Sequence, residues 1–265
     1  MKRSTIGYLI ATLLLIVNSG SGAEPEGGAR ETFIAETLPG HLIDDLNFTK
    51  PGHCRFTMRG WTIFLNDKLV GMETDLTLTM LPILDQQLKR VVEALPERAL
   101  AEVRKVPIWI NPTYPGQRGK AEYHPNVEWL VNNHRDPEMG RAIEISNVRI
   151  FAFENRRMPY LLLHELSHAY HDRVLAEGYR NPELRATFKR AEKSGSYNEV
   201  ARFDGNRTTT DRAYAMSNPM EYFAESSEAY FGKNDFFPFN RAELLSHDPE
   251  MHDLVKKLWG VDEKE

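Results

Sequence analysis

The stretch "LLLHELSHAYHD", Leu161 to Asp172, sets two histidines and a glutamate inside an apolar run, and this combination limits what the chain can fold into. Apolar residues at such density belong in a core, yet His164, Glu165 and His168 are ionisable, and burying them without compensation is costly. Pro159 ahead of the run and Gly178 behind it frame a single helix, its apolar content continuing through Leu175. On a helix, residues four apart are neighbours about 5–6 Å apart, so His164 and His168 project from one face and can reach one metal ion. Glu165 lies about 100° around the axis from His164, beside the ion rather than on it. A base acting on a water belongs there. The competing expectation for the same five residues is a core helix whose histidines are satisfied by other partners.

A catalytic zinc needs a third protein ligand and an open fourth position. His171 shares the histidine stripe but sits about 10 Å along the axis from His164, too far to close a compact tetrahedron, and is expected to be a neighbour of the site. A better source is "NPMEYFAESSEAYFG", Asn218 to Gly232, with Asn218 as a cap, Pro219 in the first turn and Gly232 at the end. Glu221 and Glu225 are four apart and face one side, while Tyr222, Phe223 and Tyr230 supply packing. One carboxylate can bind metal while the other holds a ligating histidine. The same spacing also describes a solvated acidic stripe continued by Glu228.

The rest of the chain supplies a scaffold. With 265 residues and 41% hydrophobic content, it can bury one sizeable core or two modest ones. "WTIFLNDKLVGM" (Trp61–Met72) predicts a hairpin turning at Asn66-Asp67, and "LPILDQQLKRVVEALP" places Leu81, Leu84, Leu88, Val91, Val92 and Leu95 at helical spacing. "VPIWINP" (Val106–Pro112) predicts a buried strand, and "RAIEISNVRIFAFE" (Arg141–Glu154) a β-rich stretch. Further helices are expected from Asn181-Pro182 to near Gly195, from Asn240, and from Asp248-Pro249 to Trp259. Helices and strands mix without a strict βαβ rhythm, so the fold class is α+β.

The N-terminus carries Lys2 and Arg3, an apolar stretch from Ile6 to Val17, and small residues ending at Ser21 and Ala23, which predicts a secretory signal over residues 1–23 and no stable membrane anchor once it is removed. Its loss takes away two positive charges, moving the formal net charge from −5 to −7 and arguing against a nucleic-acid partner. A lone cysteine, Cys54, cannot form an internal disulfide, so the fold stands on its core and a metal. Residues 24–105 form an N-terminal region of leader, hairpin and helices. Residues 106–265 form the domain with the metal motif, expected to make one compact unit with the region before it.

"HELSH" followed by "YAMSNPMEYFAE" resembles the catalytic domain of anthrax lethal factor and the related gluzincin metallopeptidases. The resemblance covers residues 159–229. It implies a zincin-like fold, with a small mixed sheet whose edge strand lies above the HExxH helix and a mostly helical C-terminal half. It also implies one zinc ion per chain on His164, His168 and Glu221, with Glu225 behind the ligands and Tyr214 pointing into the site. Glu165 would be the general base and Tyr214 a donor to the developing oxyanion. The expected activity is that of a secreted or periplasmic zinc metalloendopeptidase acting on a peptide or protein. A substrate would add to the strand running from about Ala142 to Ile150. His124 is expected to be an ordinary surface histidine and Cys54 a buried thiol. The alternative class is a secreted binding or scaffold protein that keeps zinc for stability alone.

Overall fold

The computed structural model describes residues 27–116 and 121–261, so the signal-like segment lies outside the described residues. Six strands form one mixed sheet: β1 (Asp44–Asn47), β2 (His53–Met58), β3 (Trp61–Asn66), β4 (Ile108–Ile110), β5 (Ala121–Tyr123) and β6 (Ile143–Ile145). Their spatial order is β1-β2-β3-β4-β6-β5. The pairs β3·β4 and β4·β6 are parallel, and the others antiparallel. A separate antiparallel pair, β7 (Val200–Phe203) and β8 (Thr208–Asp211), lies further along the chain.

The helices before β4 are α1 (Gly27–Thr37), α2 (Asp67–Met72), α3 (Thr74–Ala94) and α4 (Glu97–Val103). α5 (Val127–Asn132) joins β5 to β6, and α6 (Val148–Arg157), α7 (Leu161–Arg173) and α8 (Pro182–Ser194) lead on to β7. After β8 come α9 (Pro219–Phe231), α10 (Arg241–His247) and α11 (Pro249–Trp259). The fold is thus mixed α+β, with a small mixed sheet and a mostly helical C-terminal half. Among the described residues no helix is long and apolar enough to cross a membrane.

Local chemistry explains most of these boundaries. The side chains of Asn181, Asn218, Asn240 and Asp248 each accept a backbone N–H in the first turn of the helix that follows, and proline stands at the start of α8, α9 and α11. The expected hairpin falls elsewhere. Asn66 accepts from Lys68 N–H and starts α2, which buries Leu69 and Val70; the turn is at Arg59-Gly60, between β2 and β3. Both turn residues have positive φ, 48° and 90°, as a tight hairpin of this hand requires. The β-rich stretch at residues 141–154 is strand only at Ile143–Ile145, because Asn147 accepts from Arg149 N–H and opens α6.

The sheet's edge therefore lies elsewhere than at residues 142–150. β6 is paired on both sides, by β4 and β5, so it has no free edge for a substrate strand; that edge belongs to β5.

One core joins sheet and helices. Leu81, Leu84, Leu88 and Val91 of α3 are buried with Leu162, Leu163, Leu166 and Ala169 of α7, each fully buried leucine contributing roughly 1.5–3 kcal/mol. α7 has no side-chain cap of its own, and α3 supplies the missing contacts. Gln87 Oε1 accepts from Leu162 N–H at 2.8 Å, and Arg90 donates to the Pro159 carbonyl at 2.7 Å. Trp259 of α11 stacks on Tyr170 of α7 at 4.2 Å and on Phe223 of α9 at 5.7 Å, locking the two helices together. Their ends approach so closely that a Cβ on Gly232 would lie 2.1 Å from the Tyr160 ring, which explains glycine there.

Candidate metal centre

α7 and α9 pack face to face, and three side-chain atoms converge between them. His164 Nε2 and His168 Nε2 stand 3.2 Å apart, and each meets Glu221 Oε2, at 3.1 and 3.3 Å. His164 Nδ1 donates to Glu228 Oε1 at 2.7 Å, which leaves the lone pair of Nε2 aimed at a carboxylate oxygen. With the His164 proton on Nδ1, two acceptors, His164 Nε2 and Glu221 Oε2, face each other beside His168 Nε2 and need a proton or a cation between them. Protonation is one answer: although burial opposes it, the Glu221 and Glu228 carboxylates hold the His164 imidazole well above its ordinary range. The same pairing holds Glu221 well below the usual carboxylate range, overcoming its burial.

A tetrahedral zinc with bonds of about 2.0–2.2 Å has ligand edges of about 3.3 Å, so the three separations fit such an ion. Of the described residues, those expected to bind metal are therefore brought together.

Glu165 projects beside this group. Its Oε2 accepts the backbone N–H of Tyr123, in edge strand β5, at 2.9 Å. Burial raises its carboxyl above the usual range, against the pull of the two imidazoles. Tyr214 is 49% exposed, with its hydroxyl 3.5 Å from Glu221 Oε1. Burial and the Glu221 carboxylate raise its phenol, so it stays a neutral donor at neutral pH. All five residues open on a cleft of about 790 Å³, bounded on one side by Ala121 and Tyr123 of β5.

Two carboxylates stand behind the histidine: the expected Glu225, which places an oxygen within 4.8 Å of a His164 nitrogen, and Glu228. Glu225 accepts from Asn234 Nδ2 at 2.9 Å, whereas Glu228 holds His164. The reason is the helix stripe: positions 221, 225 and 228 all face α7, and the last one aligns with Nδ1 while Glu221 takes Nε2. Glu228 is completely buried rather than part of a solvated stripe, and its spacing of seven from Glu221 was the available signal. Cys54 is buried as expected.

His124 is not a surface residue. It is 3% exposed, bonds Glu144 at 3.0 Å and stacks on Trp129 at 5.5 Å. Glu122, His124 and Glu144 also place ligand atoms within 4.8 Å of one another. Yet Glu144 is already satisfied by Asn111 at 2.8 Å, Tyr114 at 2.6 Å and an ion pair with Arg135, so this cluster carries its own countercharge.

His171 is completely buried between Tyr179 and Phe223; neither ring nitrogen reaches hydrogen-bond geometry, although the Gly178 backbone lies close enough to favour its protonated form slightly. Burial, with the nearby His168 ring, pushes its imidazole down to about 4 from the ordinary 6.5. A depressed histidine is neutral in the fold but protonates in the unfolded chain, so stability is complete above pH ~6.5 and falls as pH drops toward 4, by up to ~1.4 kcal/mol per unit. Denaturant titrations of metal-free wild type and His171→Phe at pH 7 and 5 measure this. The variant should gain on wild type by about 1–2 kcal/mol between those pH values; an unchanged difference shows that His171 finds a proton-accepting partner.

The chain matches no protein-family model, no curated protein and no solved structure.

Proposed function

We propose that the protein is a secreted or periplasmic zinc-dependent metalloendopeptidase of the gluzincin type. The observation that carries this is the convergence of His164, His168 and Glu221 within tetrahedral ligand distances, with a buried carboxylate beside them, at the wall of an open cleft. His164, His168 and Glu221 would hold one zinc ion. Bound there, zinc supplies a Lewis acid that acidifies water toward neutrality and polarises the scissile carbonyl.

The remaining steps belong to the protein's own groups. Glu165 takes the proton of the attacking water and passes it to the leaving amine, a task suited to a buried carboxylate beside the metal ligands. Tyr123 N–H holds this carboxylate in place. Tyr214, half exposed and close to Glu221, donates its hydroxyl proton to the developing oxyanion.

Edge strand β5 positions the peptide. His124 exchanges backbone hydrogen bonds with the β6 side, donating to Ala142 O at 3.0 Å and accepting from Arg141 N–H at 2.7 Å. By alternation the backbone groups of Tyr123 and Ala121 face away from β6, toward the cleft. One of them, Tyr123 N–H, is engaged by Glu165; the others remain for an added substrate strand.

A library of peptides incubated with the zinc-loaded protein tests this function. Cleavage abolished by chelator and restored by zinc is the expected result. An intact library in the presence of fully bound zinc transfers the case to a scaffold that keeps the metal for stability.

A further inference from the structure

Glu165 and Asp172 stand about two turns apart on α7, roughly 10 Å along its axis, so their side chains leave the same face of the helix. One residue of the edge strand spans them. Tyr123 donates its backbone N–H to Glu165 Oε2 at 2.9 Å and its phenolic O–H to Asp172 Oδ2 at 2.8 Å. Its side chain is buried in the main core, on the sheet face shared with Ile143, its partner on β6.

The strand depends on these two bonds for its height over the helix. β5 has three residues and joins the sheet on one side only, through β6. A single bond to α7 would leave so short an edge strand free to pivot, whereas bonds at two points on the helix resist both tilt and slip. The bond to Asp172 is of the strong, charge-assisted kind, and it ties groups 49 residues apart in the chain. Burial and the Asp172 carboxylate raise the phenol well above its ordinary range, so it stays a protonated donor. Asp172 is held from the strand side as well: Arg141 Nε stands 3.8 Å from the same oxygen, and Arg141 N–H donates to the His124 carbonyl at 2.7 Å.

We propose that the Tyr123 hydroxyl is a positioning group for peptide cleavage: anchored on Asp172, it fixes β5 against α7 so that the Tyr123 N–H holds the Glu165 carboxylate beside His164, His168 and Glu221. The assignment rests on the metallopeptidase reading with Glu165 as its base. Filling space does not account for the hydroxyl, since phenylalanine would occupy the same core position without taking a polar group out of water. The hydroxyl touches neither the proposed zinc ligands nor the base itself, and acts through the strand.

The experiment measures kcat and KM of zinc-loaded wild type, Tyr123→Phe, Asp172→Ala and Asp172→Asn on a peptide chosen by library profiling, with zinc content and a thermal melt for each. Tyr123→Phe keeps the ring, the N–H and all three proposed ligands. Its zinc content should be unchanged while kcat falls roughly 10- to 100-fold, the scale of a misplaced catalytic group, with KM altered by less than about threefold. Asp172→Ala should match it, and Asp172→Asn, whose amide oxygen still accepts the phenol, should recover most of the loss.

The Glu165→Gln background separates positioning from general damage. A hydroxyl that acts through Glu165 has no base left to position there, so adding Tyr123→Phe should cost less than about twofold, whereas damage to the fold multiplies the loss. Where Tyr123→Phe does not fold, Asp172→Asn against Asp172→Ala decides: the asparagine variant should be the faster with Glu165 present, and the two equal with Glu165→Gln. Wild-type kcat in Tyr123→Phe, or the same fold loss with Glu165→Gln as without it, overturns the positioning role and leaves the peptidase standing. A library untouched by fully zinc-loaded wild type overturns both.

Discussion

Replacing Glu165 with glutamine should leave zinc bound while peptide cleavage falls by at least ~10²- to 10⁴-fold, the range credited to a positioned acid–base group. The substitution keeps shape and volume and can still accept the Tyr123 N–H that holds Oε2 at 2.9 Å, so the strand and helix should stay in register. What disappears is a carboxylate able to take a proton. The three atoms proposed to hold the ion are on other residues, so zinc content is the control that separates lost chemistry from a lost site. Turnover on a peptide selected from the library, measured beside metal analysis and a thermal melt, gives the answer. Equal turnover in variant and wild type would remove Glu165 from the mechanism. A variant that also loses zinc would show that the carboxylate supports the ligands instead.

The parts of this site legible in the sequence are those written in local spacing. His164 and His168 are one turn apart on a helix, and Glu221 follows a cap at Asn218 by three residues, so each helix announces its own face. The caps at Asn181, Asn240 and Asp248 are equally local, which is why the C-terminal helices fall where the sequence places them. Their fit to one another is not local. The bond from His164 to Glu228 spans 64 residues, and that from Arg157 to Asp235 spans 78. Glu228 could be seen as part of the stripe, but only packing of α9 on α7 turns it inward.

Strand order is hidden for the same reason. β5 has three residues, too few for a periodic signal, and becomes the edge only because β6 inserts beside β4. Glu144 would stand out in any sequence as an unlikely core residue. Its partners, His124 and Arg135, come from the segment between β5 and β6, with Asn111 and Tyr114 from the loop before β5. Buried charge of this kind is tolerated only when all its partners arrive together, which no single segment reveals.

The carboxylates of α9 offer the second large effect, because the structure ranks them. Glu221→Ala removes the proposed third ligand atom, which stands 3.1 and 3.3 Å from the two histidine nitrogens, and should abolish zinc binding and with it any chelator-sensitive cleavage. Glu228→Gln keeps an acceptor for His164 Nδ1 but removes the negative charge behind the imidazole, so zinc should still bind, about 10- to 100-fold more weakly. Glu225→Gln changes a group that accepts from Asn234 rather than from a histidine, and its effect on affinity should be the smallest of the three. Competition with a chelator of known affinity ranks all three on one scale, with melting curves to exclude unfolding. If Glu225→Gln weakens zinc more than Glu228→Gln does, the carboxylate that supports His164 in solution is Glu225, and the packing of α9 against α7 must be turned by part of a helical turn. If Glu221→Ala retains zinc as tightly as wild type, the third ligand lies elsewhere and the His₂Glu centre is wrong.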